Sequence, residues 1–291
     1  MVDLTRRFDV LVIGGGNAAL CAAISARRAG ASVLVLEGAP KFYRGGNTRH
    51  TRNMRCAHDA ATEILTGPYT EEEFWNDLLL VTGGQTDEEL AKFMIRESKD
   101  ILNWIVEQGV RWQPSLGGTL SLGRTNSFFL GGGRAMLNAL YLTADALGVD
   151  VLYDAEVVDL RIEHGMFLSA ELKRPVNGKT EVRASTLVAA AGGFEANIEW
   201  LKQYWGEAAD NFLIRGTPYN RGTVLKLLLE KGAATVSNGA LHFSHDGTAY
   251  TVFKKDSAFV LNGGQIKEMA LIGDGDSVTK LVNTLASLRT F

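Results

Sequence analysis

Apolar residues in this chain fall into short runs separated by glycine and polar clusters. Residues 10–13 (Val-Leu-Val-Ile) form a continuous apolar run of strand length, the pattern of a strand buried on both faces. The run stops at Gly14-Gly15-Gly16 and opens into a helical pattern of small residues over 18–28, which Gly30 ends. Residues 32–36 form a second buried strand that runs into Glu37. The pattern therefore predicts strand, glycine turn, helix, strand and acid, in that order.

Further on, residues 38–56 show no period and read as one long irregular loop. Thr70-Glu-Glu-Glu73 has the spacing of a capping box and opens a helix through about residue 82. Thr86-Asp-Glu-Glu89 repeats the signature before an amphipathic helix to about Gln108. Leu90, Phe93, Met94, Ile101, Trp104 and Ile105 fall on its apolar face, and Gly109 supplies the stop. Residues 112–133 read as irregular, and a helix follows over 134–147. Strands are predicted at 149–153 and 155–162, a hairpin of 167–173 with 180–183 around Asn177-Gly178, and a separate buried strand at 186–191. Helices at 196–204 and 223–231 follow. From residue 233 the texture changes to short strand-like stretches and a last helix at 276–288. These units predict an α/β fold: a doubly wound, Rossmann-like domain over 1–234 with an inserted β-hairpin, then an atypical C-terminal segment, 235–291.

The first glycine cluster carries the chemistry. Gly14, Gly16 and Ala19 fill the G-x-G-x-x-G/A positions of a dinucleotide fingerprint. The first glycine permits a tight turn, the second lets backbone approach a pyrophosphate, and the small third residue lets helix pack on strand. Asn17 and Ala18 open the helix, whose free N–H groups and dipole favour an anion. Glu37, with Gly38 behind it, is placed to accept hydrogen bonds from a ribose diol.

Composition narrows the classes. In 291 residues, 46% are hydrophobic and 22% charged, as in an ordinary globular protein. A net charge of −3 gives no global pull toward nucleic acid or anionic membrane. No apolar stretch approaches the ~20 residues of a membrane span, and the polar N-terminus lacks the apolar region of a signal peptide, so the expected location is cytoplasmic. The 2 cysteines, Cys21 and Cys56, have no metal-site or disulfide spacing, and no metal is expected. His58, His164, His242 and His245 lack any motif around them.

Four separated motifs occur together: residues 10–19, Arg44-Gly-Gly-Asn-Thr48, residues 131–140, and Leu187-Val-Ala-Ala-Ala-Gly-Gly-Phe-Glu-Ala196. In this order they resemble the FAD-binding domain of the fumarate reductase/succinate dehydrogenase flavoprotein superfamily, over roughly residues 7–234. The stretches 44–55 and 123–140 look most like the tricarballylate dehydrogenase group. The resemblance implies FAD as the dinucleotide. It implies that Gly45, Gly46, Asn47 and Thr48 wrap the pyrophosphate and flavin ring, that Val157 passes its backbone beside the adenine, and that Ala191, Gly192 and Gly193 lie against the dinucleotide. Membrane-bound relatives carry a covalent flavin link on a histidine that corresponds to Asn47; asparagine cannot form it, so the FAD is expected to be noncovalent.

The activity implied is hydride transfer between a carbon beside a carboxylate and flavin N5, of the tricarballylate to cis-aconitate type. It implies a small carboxylate substrate and leaves room for an electron-accepting partner protein. Arg49, His50, Arg52 and Arg55 share one loop, and arginine offers a charged fork that matches a carboxylate. Arg124 is a further candidate, and Arg134 at a helix start a weaker one. The family's proton-transferring arginine is not found, and residues 235–291 do not match the family's continuation. Two readings therefore stay open: a flavin-dependent dehydrogenase of di- or tricarboxylic acids, and an FAD-binding module without independent turnover.

Overall fold

A computed structural model describes residues 2–84, 86–115, 122–175 and 178–233, with the backbone of four short strands further on. The predicted opening unit forms as β1 (Arg7–Ile13), α1 (Asn17–Arg28) and β2 (Val33–Leu36). Then come β3 (Asn53–Arg55), α2 (Glu71–Thr82), α3 (Glu88–Glu107), α4 (Leu122–Thr125), β4 (Asn126–Phe128) and α5 (Gly132–Ala146). The remainder comprises β5 (Asp150–Leu152), β6 (Glu156–Glu163), β7 (Met166–Arg174), β8 (Gly178–Ala189), α6 (Ile198–Trp205) and α7 (Thr223–Glu230). The four last strands are β9 (His242–Phe243), β10 (Ala249–Tyr250), β11 (Ala258–Phe259) and β12 (Met269–Gly273).

The main sheet runs β11-β12-β8-β1-β2-β5. Its centre is parallel: β1 lies between β8 and β2, with Leu11 beside Leu187 and Leu34. Alternation along the strands sends side chains to both faces. Val10, Val12, Val33 and Val35 pack with α1, α5 and part of α3. Leu11, Ile13, Leu34 and Leu36 pack with β6, β7, α6 and α7. Both faces are covered, which is the expected α/β arrangement and explains the continuous apolar runs.

Several expectations change. The hairpin strand 180–183 and the buried strand 186–191 are one strand, β8. Its first half pairs with β7 and its second with β1, so one long strand joins the β6–β7 pair to the parallel centre of the same sheet. β7 pairs in turn with β6, across the turn at Gly165. The loop 38–56 is more ordered than its sequence implies: it makes 3₁₀ turns at Lys41–Tyr43 and Gly46–His50, and ends in β3. The irregular stretch 112–133 includes α4 and β4, and β4 pairs with β3. Thr70 caps α2 as expected, accepting from Glu73 N. At α3 the cap is Asp87, accepting from Leu90 N, one residue past the predicted Thr86. The buried face of α3 is Ala91, Ile95, Ser98, Ile101, Trp104 and Ile105; Leu90, Phe93 and Met94 lie beside it. Asn177 and the predicted helix 276–288 lie outside the described residues. Among the described residues no helix is long and apolar enough to cross a membrane, and no group of acidic, His or Cys side chains could hold a metal ion.

Candidate functional site

The C-terminal ends of β1, β2 and β8 meet at the glycine turn. Gly14 adopts φ 114° and its N–H donates to Leu36 O at 2.8 Å. A Cβ on Gly14 would lie 2.0 Å from Ala190 O, so only glycine lets β1 and β8 approach here. A Cβ on Gly15 would lie 2.3 Å from Tyr141 Oη and 2.4 Å from a Glu37 carboxylate oxygen. At Gly16 the nearest neighbour of such an atom is Thr48 Oγ1, at 3.1 Å. That hydroxyl also accepts from Asn17 N, the first residue of α1, at 3.1 Å.

The loop after β2 is pinned from below. Glu37 is buried and accepts from Ala39 N and Gly45 N, both at 2.9 Å. Burial raises its carboxyl above the usual carboxylate range, while the backbone N–H donors and Arg44 pull the other way. Gly45, at φ 99°, packs on Leu137 of α5, whose Cδ1 would lie 2.4 Å from an added Cβ. A Cβ on Gly133 would lie 2.0 Å from Thr48 O. Gly133 therefore lets the loop rest directly on the start of α5.

These segments line one cleft of about 1150 Å³, counting its open mouth. Gly14, Gly16, Asn17, Ala18, Glu37, Gly38, Gly45, Gly46, Asn47, Thr48, Val157, Ala191 and Gly192 all line it. Ala19 does not: it is fully buried and packs α1 on the sheet, as its place in the fingerprint requires. Gly193 lies outside the lining and faces the Glu195 carboxylate. The opposite wall went unpredicted. It is residues 219–225, leading into α7 through Gly222 at φ 76°. Asn47 ties down the segment just before it, its Oδ1 accepting from Thr217 N at 2.8 Å. The signal for this wall was a glycine directly before a helical apolar pattern, without a strand ahead of it.

None of the proposed carboxylate-binding side chains lines the cleft. Arg49 lies over the Tyr43 ring and donates to Phe42 O at 3.1 Å. His50 and Arg52 are exposed on the same loop. Arg55 pairs with Asp77 at 3.3 Å and stacks on Tyr69. Arg124 forks onto Glu73, with Nη1 2.8 Å from Oε2, and also lies over Tyr69. Arg55 and Arg124 thus share one cluster with carboxylates of α2. His58 sits between two carbonyls, with ring nitrogens 2.8 Å from Cys56 O and 2.7 Å from Gly67 O. Cys21 and Cys56 are buried, and burial pushes the Cys21 thiol up to about 12.

Residues 9–289 match the FAD binding domain family. The chain belongs to that family. Its cofactor is FAD, and the cleft fits it: glycines whose Cβ atoms would fill the turn, the N-terminus of α1, and a carboxylate at the end of β2. NADH:fumarate oxidoreductase from Klebsiella pneumoniae is 27% identical over 240 residues, covering 81% of this chain and 26% of that protein. Fumarate reductase (cytochrome) from Shewanella frigidimarina is 29% identical over 201 residues, covering 66% of this chain and 34% of its own. A flavocytochrome c3 fumarate reductase in an open conformation superposes with TM-score 0.69 at 21% identity, covering 84% of this chain and 44% of that one. The chain thus spans about a quarter to a third of the length of these two sequence relatives.

Proposed function

We propose that this chain is the flavin-holding part of an oxidoreductase for small unsaturated or saturated carboxylic acids. The observation that carries the reading is the glycine-lined cleft at the strand ends, in a chain matched to the FAD binding domain along 9–289. Bound there noncovalently, FAD supplies hydride transfer at a carbon beside a carboxylate. In this reading the α1 N-terminus and Gly14–Gly16 hold the pyrophosphate, residues 45–48 and 191–192 the ring side, Val157 the adenine side, and Glu37 the ribose. Relatives named for fumarate and urocanate reduction support an unsaturated acid as the oxidised partner. Tricarballylate to cis-aconitate is the finer candidate, and rests on the resemblance of residues 44–55 and 123–140. Arg49, His50 and Arg52, on the loop that carries Asn47 and Thr48, are the candidates for substrate carboxylates. Arg55 and Arg124 already hold carboxylates of this chain, and their part in substrate binding would require those pairs to open. Oxidation of a saturated acid would require an acceptor for the two electrons, a partner protein or a small redox carrier, and reduction of an unsaturated acid would require a donor of the same kind.

The test begins with the purified full chain. Oxidised FAD, identified by mass after denaturation, is expected to co-purify or to bind on addition. Fumarate, urocanate and cis-aconitate are then offered to the dithionite-reduced protein, and tricarballylate to the oxidised protein with a dye acceptor. Reoxidation by an unsaturated acid supports the reading. Flavin binding without reaction toward any of these acids would refute the carboxylate substrate class, and absence of flavin binding would refute the whole.

A further inference from the structure

We propose that Tyr141 is a positioning residue that aims the backbone of the glycine turn at the dinucleotide pyrophosphate; the inference rests on the FAD reading of this cleft. Tyr141 lies on α5, 7% exposed, remote in sequence from the turn it touches. Its hydroxyl donates to Gly15 O at 2.8 Å. A trans peptide is planar, with its C=O and N–H on opposite sides. A hydrogen bond that fixes the Gly15 carbonyl toward α5 therefore turns the Gly16 N–H the other way. Gly15 and Gly16 both line the cleft, and α1 begins at the next residue. One buried phenol thus sets the plane of the peptide that an anion would meet first.

The phenol is itself held. The Arg44 guanidinium lies 4.7 Å above its ring, and the Tyr153 ring is 6.2 Å away. Arg44 is fixed by Asn138 Oδ1 on the same helix, at 2.8 Å, and by Lys41 O at 2.9 Å. Glu37, whose carboxylate also sits beneath Gly15, holds Gly45 N. The ribose-side acid, the loop 41–45 and α5 therefore converge under one glycine. Burial, with Glu37 and Tyr153 adding to it and Arg44 opposing, keeps the phenol well above its ordinary pKa, so it stays an O–H donor.

Tyr141→Phe removes the donor and keeps the ring. The expected result is a flavin dissociation constant raised about tenfold, as for a hydrogen bond lost from a buried carbonyl. The ³¹P resonances of bound FAD are expected to shift, because the donor geometry at the pyrophosphate has changed. Leu140→Ala, a neighbouring core truncation on the same helix, is expected to lower the melting temperature with parental ³¹P resonances. If Tyr141→Phe does not fold, Arg44→Met, which unstacks the ring but keeps the hydroxyl, is expected to give a smaller ³¹P shift. Parental affinity and parental ³¹P resonances in whichever of these two variants folds overturn the proposal. A parent chain that binds no FAD overturns the cofactor reading, and this proposal with it.

Discussion

Gly14, Gly15 and Gly16 each meet a different neighbour: the carbonyl just past β8, two buried polar tips, and the Thr48 hydroxyl with Gly45 O behind it. The third is the least crowded, with an added Cβ 3.1 Å from Thr48 Oγ1 and 3.5 Å from Gly45 O, so its substitution tests ligand binding more than folding. Gly16→Val is expected to abolish FAD co-purification while leaving far-UV circular dichroism unchanged, because a branched side chain fills the pyrophosphate space. Glu37 is proposed for the ribose, and its carboxylate already accepts two buried backbone N–H groups. Glu37→Ala orphans both donors and is expected to cost about 2–5 kcal/mol in equilibrium urea unfolding, as well as weakening flavin binding. Its pH signature follows from burial. The folded-state pKa lies above the ordinary 4.5. Between those two values the folded form holds the extra proton, so stability falls as pH rises through that window and is level above it. Glu37→Gln is expected to remove this fall, read from denaturant midpoints over the acid range.

At the scale of elements, the loop 45–51 lies between the start of α1 and the start of α5. Thr48 serves both: its hydroxyl meets Asn17 N, and its carbonyl occupies the space that a Cβ on Gly133 would need. Gly133→Ala is expected to lift this loop, lowering the thermal midpoint and weakening FAD binding together, whereas a change confined to either helix would move one readout only. The first half of α3 packs with α2 in a satellite cluster around Tyr69, Phe74 and Ile95, while its second half joins the main core. The caps of both helices are local. Asp87→Ala is expected to cost about 1 kcal/mol in thermal unfolding, with flavin affinity unchanged. The predicted capping box at Thr70 was half right in mechanism. The Thr70 hydroxyl takes Glu73 N, but the Glu73 carboxylate leaves the cap for Arg124. A charged neighbour distant in sequence outcompeted a backbone N–H.

For the whole molecule, the central strands bury both faces, and the cofactor cleft opens where their ends stop. Binding to the folded form alone raises stability by mass action, so FAD at a hundred times its dissociation constant is expected to add about 2.7 kcal/mol, read as a raised melting temperature. Riboflavin, which lacks the pyrophosphate, is expected to add far less. The opening β-turn-α-β unit and its glycine fingerprint were legible in the sequence because each signal is contiguous: an apolar run, a glycine turn, a small-residue helix and an acid fall within one short segment. The continuous apolar runs of β1 and β2 need no distant partner to be read. Tertiary structure alone decided the rest. It joined two predicted strands into β8, because the chain's local pattern does not reveal that one strand changes its partner from β7 to β1 along its length. It paired Arg55 with Asp77 and Arg124 with Glu73, since a cation takes whichever carboxylate the fold brings within reach. It also brought residues 219–225 to the cleft and Tyr141 against the glycine turn, because both arrive only through packing of segments far apart in the chain.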